Sequence, residues 1–215
     1  MHDLILFGMQ GSGKGTQGKI LAEKYGYRIF ETGAELRAMV KSGTELGAKV
    51  KNIMESGKLV DTTIIMEIIE AFLENLSHDE SVIFDGIPRS KEQMNQFETL
   101  MQKMDRSPLA LHIKLSRKEA LNRLLKRFSC EGVDMSKNPL MTETECLRLG
   151  GVVRRRSDDN EEAINVRIDT FLSETQPVIE NYLGLKRLIE VNGDMSLKEV
   201  TKEIEENLES KMTQV

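Results

Sequence analysis

The sequence predicts an α/β fold, a three-layer sandwich in which helices cover both faces of a central parallel sheet of five strands. Short apolar runs alternate along the chain with segments of helical spacing, an order that is typical of a parallel sheet. A glycine-rich loop joins the first apolar run to the first helical segment. The 215 residues, 39% hydrophobic and 30% charged, fit one such domain with insertions better than two small domains.

The apolar pattern sets the order of the elements. The predicted strands are Leu4–Phe7, Arg28–Phe30, Ser81–Phe84, Ala110–Leu115 and Leu188–Val191. The predicted helices are Gly15–Lys24, Glu35–Ser42, Glu45–Ser56, Thr62–Asn75, Lys91–Met104, Lys118–Arg127, Glu161–Leu172 and Leu197–Lys211. Asp61 and Ser116 are the expected caps of two of them. Ser129–Arg155 has no clear period and is too long for an ordinary loop, which predicts a functional lid or a disordered segment.

Charge and composition argue against several classes of protein. The formal net charge of -5 disfavours general nucleic-acid binding, which normally needs a basic face. No apolar run approaches membrane-spanning length, and no leader precedes the first predicted strand. The two cysteines do not make a disulfide framework in a chain of this length. We therefore expect a cytoplasmic protein that binds neither nucleic acid nor membranes.

The glycine-rich loop at Gly8–Gln17 is the strongest functional signal. It follows a predicted strand and opens a predicted helix, the context that a phosphate-binding loop requires. Its glycines let backbone N–H groups converge on phosphate oxygens, and the helix N-terminus adds a favourable dipole. Lys14 supplies a mobile positive charge for β- and γ-phosphates. The candidate ligands are Gly11, Ser12, Gly13, Lys14, Gly15 and Thr16.

The order of residues within this loop indicates which class of phosphate-loop protein the sequence resembles. Gly15 follows Lys14, and the hydroxyl comes one position later, at Thr16. The run Gly-x-x-Gly-x-Gly-Lys-Gly-Thr-Gln resembles the nucleoside-monophosphate kinases, and the adenylate kinase family above all. Gln10 stands where that family usually has a proline. Further motifs in the family's order extend the resemblance over essentially the whole chain.

The resemblance implies a second nucleotide site, for AMP. Residues 31–37, Glu-Thr-Gly-Ala-Glu-Leu-Arg, resemble the family's Ser-Thr-Gly-Asp-x-Leu-Arg, whose threonine lies by the AMP base and whose arginine grips its phosphate. Residues 85–89, Asp-Gly-Ile-Pro-Arg, resemble Asp-Gly-Phe-Pro-Arg, and Gln93 falls where the family's glutamine reads adenine. The AMP-binding residues implied in this way are Thr32, Arg37, Lys58, Leu59, Val60, Gly86, Ile87, Pro88, Arg89, Gln93, Arg156 and Arg167.

Arginines at the motif positions suit phosphoryl transfer between two nucleotides. This reaction needs the two substrates to be positioned and positive charge to be spread over the transferring phosphoryl group. Guanidinium groups fork to phosphate oxygens and stay charged. No nucleophilic side chain or general base is expected, because the AMP phosphate is itself the nucleophile. The resemblance implies catalytic roles for Lys14, Asp85, Arg89, Arg127, Arg156 and Arg167, and it places Arg123, Arg127 and Met195 at ATP.

Asp85 and Thr16 are the expected neighbours of a magnesium ion that accompanies ATP. Asp85 ends a predicted buried strand, and Mg²⁺ keeps several of its waters in such sites, so we expect the carboxylate to hold the ion through water. Ala34 stands where the family usually has an aspartate near these waters. One carboxylate of that network is therefore missing.

The predicted lid resembles the family's long-lid form, in which two Cys-x-x-Cys pairs often bind zinc. Cys130 and Cys146 stand where each pair would begin, but Val133 and Leu149 occupy the partner positions. Valine and leucine cannot donate to a metal, so we expect no structural zinc and apolar packing in its place. Zinc would need Glu131, Asp134 or Glu145 as substitute ligands. A disulfide between the two cysteines is sterically possible but disfavoured in a reducing compartment.

Together these features predict a kinase that converts ATP and AMP reversibly into two ADP. The expected parts are a core (residues 1–30, 61–127 and 157–215), an AMP-binding insertion (31–60) and a lid (128–156). A UMP/CMP-type kinase is the enzymatic alternative, disfavoured by Gln93 and the long lid. A nucleotide-binding regulator without catalysis is the other alternative, motivated by Gln10 and Ala34. We expect a monomer, as is common for long-lid members of the family.

Overall fold

The computed structural model describes residues 2–55, 60–77, 79–133, 138, 141–155 and 160–212. The strands in these ranges are β1 (Leu4–Phe7), β2 (Arg28–Glu31), β3 (Val82–Asp85), β4 (Leu109–Lys114), β5 (Ser129–Glu131), β6 (Val152–Arg154) and β7 (Leu188–Asn192). A parallel sheet has the strand order β2-β3-β1-β4-β7, and β5 pairs with β6. The predicted α/β fold with five parallel strands is confirmed.

Helices flank the sheet on both sides. They are α1 (Lys14–Tyr25), α2 (Thr32–Lys41), α3 (Glu45–Glu55), α4 (Thr62–Glu74), α5 (Lys91–Lys103), α6 (Arg117–Lys126), α7 (Glu143–Arg148), α8 (Glu161–Thr170), α9 (Gln176–Gly184) and α10 (Leu197–Met212). Asp61 and Ser116 cap α4 and α6 as predicted, accepting from Thr63 N (2.8 Å) and Glu119 N (3.3 Å). Among the described helices, none combines the length and the apolar character needed to cross a bilayer.

The central strand β1 shows how the sheet holds its two helical layers. Ile5 and Phe7 belong to the core that includes residues of α4, α5 and α9. Leu4 and Leu6 point the other way, into the core formed with α1 and α10. Successive side chains of a strand face opposite sides of the sheet. Because β1 is buried on both faces, all four of its side chains are apolar. The parallel strands bring the ends of β1, β2 and β3 to one edge, where α/β proteins bind ligands.

The helix predicted to end at Leu172 instead continues through a π-helical turn. Phe171–Thr175 joins α8 to α9 without a break. Such turns are rare and occur frequently at functional sites. Here the turn presents Thr175 to the backbone of Arg89: Thr175 Oγ1 donates to Arg89 O at 2.9 Å.

The described part of the predicted lid is ordered. β5 and β6 form an antiparallel pair in which Cys130 lies opposite Val153. α7 begins with a capping box, since Glu145 N donates to Thr142 Oγ1 (3.2 Å) and Thr142 N donates to Glu145 Oε2 (2.7 Å). Three-residue strands are too short to show a period, which is why the sequence pattern missed them.

Cys130 and Cys146 form a disulfide, with Cα atoms 5.8 Å apart. The expectation that this disulfide is disfavoured is therefore wrong for this structure. β5 and α7 bring both cysteines into one small buried cluster with Met141, a proximity that a count of cysteines cannot reveal. Val133 packs against that cluster as expected, whereas Leu149 does not replace a ligand by packing, because it is 56% exposed.

We expect reduction of this disulfide by a dithiol to accelerate tryptic cleavage at Arg148 and Arg154 in the lid. The apolar cluster there is small. The disulfide, which joins two cysteines 16 positions apart in the sequence, therefore supplies much of the order of this segment. A Cys130→Ser, Cys146→Ser double variant should be cleaved equally fast with and without the dithiol. Equal cleavage of the oxidised and reduced wild type would contradict the prediction.

The absence of structural zinc also stays a prediction. Sulfur atoms joined in a disulfide are not thiolates and cannot serve as the zinc ligands of a closed site. Metal analysis of the purified protein checks this, and a stoichiometric zinc content would contradict it.

His112 is a buried histidine that we expect to make the stability of the core depend on pH. The residue is 5% exposed, its Nδ1 lies 3.2 Å from Glu190 Oε1, and its ring packs near Phe171. Burial lowers the pKa of His112, although Glu190 partly offsets this effect and the nearby Lys114 and Lys14 reinforce it. The unfolded chain therefore binds the proton more tightly than the folded one.

We expect this contribution to the free energy of unfolding to be complete above about pH 6.5, the unfolded value, and to decline as the pH falls below it. Urea unfolding at pH 7.5 and 5.5 measures the decline. His112→Gln should remove this part of the pH dependence, and the exposed His2→Gln should retain it. An identical pH dependence in His112→Gln and the wild type would refute the assignment.

Candidate active site

The phosphate loop joins β1 to α1 at the edge of the sheet where the strands end. Gly11 and Gly13 have φ values of 86° and 91°, in the left-handed region that other residues rarely adopt. No side chain caps α1 at Gly13. Ser12 is 3% exposed, and its Oγ has no hydrogen-bond partner within the described part of the chain. A loop with these features is suited to hold an anion.

Lys14 is folded back onto the loop. Its Nζ donates to Gly8 O at 2.8 Å and to Met9 O at 3.4 Å. Burial lowers the pKa of Lys14; Asp85 counters this shift, whereas Arg89 and two further arginines reinforce it. An anion that binds beside the ammonium group would relieve this penalty on its charged form.

Asp85 ends β3, and Arg89 follows four residues later in the turn after the strand. The Oδ2 atom of Asp85 lies 3.8 Å from the position that a Cβ on Gly15 would take, so the carboxylate faces the phosphate loop. Burial raises the pKa of Asp85, and Lys14 counters that shift. Arg89 retains contact with solvent, yet the surrounding protein lowers its pKa, which Asp85 counters.

Several contacts fix the position of Arg89. Its Nε donates to Gly86 O at 2.8 Å. Its backbone N–H donates to Gln93 Oε1 at 2.8 Å, and its carbonyl oxygen accepts from Thr175. The guanidinium group is therefore held by the strand-end turn, and the backbone of Arg89 is held by Gln93 of α5 and Thr175 of the π turn, as a precise substrate contact requires.

A cleft of about 710 Å³ connects the phosphate loop with this arginine. Eight of its lining residues are Lys or Arg and three are Asp or Glu, so it is a basic site in an acidic chain. The sequence-predicted residues that line it are Gly11, Gly13, Lys14, Gly15, Thr16, Arg37, Asp85, Gly86, Arg89, Arg123, Arg127 and Arg167. A smaller cavity of about 150 Å³ shares Lys14 and Arg89 with the cleft and is lined also by Ile87 and Pro88.

Two of the cleft arginines are held by carboxylates. Arg123 Nε donates to Glu119 Oε1 (2.8 Å), one helical turn away, and Arg123 Nη2 donates to Gly193 O (3.0 Å). Arg37 Nη2 donates to Glu31 Oε1 at 2.8 Å. Such contacts orient guanidinium groups that are otherwise mobile.

Other sequence-predicted residues lie behind the cleft lining or apart from it. Thr32 is buried and donates from Oγ1 to Asp85 O (3.3 Å), and Gln93 is 2% exposed behind Arg89. Val60 is part of the core, and Met195 is half-buried against the core on the other face of the sheet. Lys58, Leu59 and Arg156 lie outside the described residues.

Sequence reasoning missed some residues that shape the site. Met141 belongs to the buried cluster of Cys130, Met141 and Cys146 in the predicted lid (the lid cluster), and Phe128 packs against that cluster. Both residues also line the cleft, so this part of the predicted lid contacts the site. Glu31 lines the cleft opposite Asp85 in the β2–β3 register. Its position directly after the predicted strand Arg28–Phe30 was the available signal.

Fold and cleft together define an α/β protein of the phosphate-loop class, built to bind nucleotide phosphates. The family model described as adenylate kinase matches residues 6–186. The chain is 33% identical over 210 residues to the adenylate kinase of Pelagibacter ubique (strain HTCC1062), covering 96% of this chain and 99% of that protein. It is 34% identical over 202 residues to that of Alkaliphilus oremlandii (strain OhILAs), covering 92% and 94%.

The adenylate kinase of Methanosarcina barkeri (strain Fusaro / DSM 804) is 32% identical over 206 residues, which cover 94% of this chain and 96% of that protein. The chain belongs to the adenylate kinase family. The predicted resemblance is confirmed, and with it the class of enzyme, a nucleoside-monophosphate kinase.

Proposed function

We propose that this chain transfers the γ-phosphoryl group of ATP reversibly to AMP, which gives two ADP. One observation carries the proposal: the phosphate loop and the side of the cleft that bears Arg37 and Arg89 meet in one continuous basic cavity. Two nucleotides that enter from opposite sides would bring their phosphates together beside Lys14. Membership of the family supports the same reaction.

On the donor side, the phosphates of ATP would lie on the backbone of residues 11–16. Lys14 would leave the carbonyl oxygens of Gly8 and Met9 and donate to the β- and γ-phosphates. Arg123 and Arg127, at the end of α6, would contact the same nucleotide, with Met195 near its base. Residues 128–156 would act as a lid that closes over ATP and excludes water.

On the acceptor side, residues 31–60 would hold AMP against the core. Arg37, Arg89, Arg167 and Arg156 are the proposed phosphate contacts, and Gln93 with Thr32 would lie toward the adenine base. The acceptor phosphate attacks as the nucleophile, so the cationic side chains need only align it with the donor and stabilise the charge that develops during transfer.

Magnesium that accompanies ATP is part of the proposal. The residues present fit it, because Asp85 turns a carboxylate oxygen toward the loop at Gly15 and Thr16 lines the same cleft. Oxygen atoms and retained waters are what Mg²⁺ prefers. Bound there, the ion would neutralise phosphate charge. Ala34 contributes no carboxylate to this site.

A coupled assay with ATP, magnesium and AMP, CMP or UMP in turn tests the proposal. We expect turnover with AMP to exceed turnover with either pyrimidine monophosphate by orders of magnitude. A preference for CMP or UMP would favour the pyrimidine-kinase alternative, and binding without turnover would favour a regulator. We also propose that the enzyme acts as a cytoplasmic monomer.

A further inference from the structure

We propose that Glu31 sets the affinity of the acceptor site by competing with the acceptor phosphate for Arg37. The inference rests on the proposed function and concerns a positioning residue, since Glu31 would act through Arg37 rather than on the reacting atoms.

The two side chains meet at the entrance to the acceptor side of the cleft. Glu31 ends β2, and Arg37 lies on α2, with Arg37 Nη2 2.8 Å from Glu31 Oε1. Both residues line the cleft. The contact is therefore located where the proposed acceptor phosphate would bind.

The backbone between them favours this pairing. A Cβ atom on Gly33 would lie 2.9 Å from Arg37 Nη1 and 3.7 Å from Glu31 Oε1. The guanidinium group thus folds over the bare Cα of Gly33 to reach the carboxylate. A larger residue at this position would push the arginine away.

Competition follows from the chemistry of the groups. A guanidinium group only donates hydrogen bonds, and carboxylate and phosphate oxygens only accept them, so both anions need the same N–H groups. A displaced Glu31 would still repel a phosphate dianion nearby. Its charge already acts on this part of the cleft, because it contributes to raising the pKa of Asp85, its neighbour in the sheet register.

Glu31 also departs from the family pattern that residues 31–37 resemble, which begins with serine. Serine can accept a hydrogen bond but carries no charge to hold Arg37. The side chains of Arg37 and Glu31 are 48% and 47% exposed, so solvent screens the pair and the expected effect is several-fold rather than orders of magnitude.

Glu31→Gln keeps the shape and removes the charge. We expect it to lower the Kd and the KM for AMP about three- to tenfold, with KM for ATP and kcat changed less than twofold. AMP affinity should also fall more steeply with added KCl in this variant, because its acceptor site carries more net positive charge. Glu31→Ser should behave in the same way. Glu31→Asp retains the negative charge and should therefore bind AMP as weakly as the wild type does.

Glu35→Gln is the matched control. Glu35 is a carboxylate in the first turn of α2 that lines a separate outer groove. Its replacement should leave the Kd for AMP unchanged. Titration calorimetry measures AMP binding without any turnover. Unchanged or weaker AMP binding in Glu31→Gln overturns the inference. A wild type that turns over no monophosphate overturns the proposed function instead, so the two failures are distinguishable.

Discussion

Replacement of Lys14 by methionine is expected to lower kcat about 10²- to 10³-fold, the usual effect of losing one preorganised electrostatic contact to the transferring group. Methionine is similarly long and unbranched but carries no charge for the β- and γ-phosphates. Because burial already disfavours the ammonium charge, its removal should change the free energy of unfolding by no more than about 1 kcal/mol. The coupled assay and a thermal melt measure the two effects.

Lys41→Met is the matched control for this variant. Lys41 is exposed at the end of α2 and does not line the cleft. It should leave kcat unchanged, so a loss confined to Lys14→Met would come from the cleft. Near-normal turnover of Lys14→Met would refute the proposed role of the loop.

Arg89→Ala is the second substitution expected to reduce kcat about 10²- to 10³-fold. Arg89 shares the cleft with Lys14 and Arg167, and the surrounding protein lowers its pKa, as is common for charged groups at functional sites. Arg89→Lys should recover only part of the rate, because an ammonium group cannot fork to two phosphate oxygens. Steady-state kinetics with AMP as the varied substrate give kcat and KM for each variant.

Arg28→Ala serves as the control for Arg89, since Arg28 is exposed at the start of β2 and pairs with Glu80 at 3.4 Å. Normal kinetics are expected for it. If Arg89→Ala retained at least a tenth of the wild-type kcat, the central place of Arg89 in transfer would have to be abandoned.

The sheet and the phosphate loop could be predicted from the sequence because their signals are local. An apolar run such as Leu4–Phe7 has few other ways to bury itself, and the glycines after it permit a loop that few other residues allow. The location of Asp85 and Arg89 at the same edge then follows from the parallel order of the strands.

Contacts between side chains could not be predicted in this way. The pairing of Glu31 with Arg37 depends on a rotamer that closes over Gly33, and the disulfide depends on where α7 packs against β5. Thr175 reaches Arg89 only because a π turn shifts the phase of the helix, which no apolar period encodes. In each case the contact depends on tertiary packing and not on the local sequence pattern.

The lid cluster, built on Cys130, Met141 and Cys146, shares no described residue with the two large cores that enclose the sheet. Met141 belongs to this cluster and also lines the cleft, so the cluster meets the site at the cleft surface and not through either core. We therefore expect a change in its packing, such as loss of the disulfide, to leave the residues around the sheet in place and to alter the cleft only on the side of Phe128 and Met141.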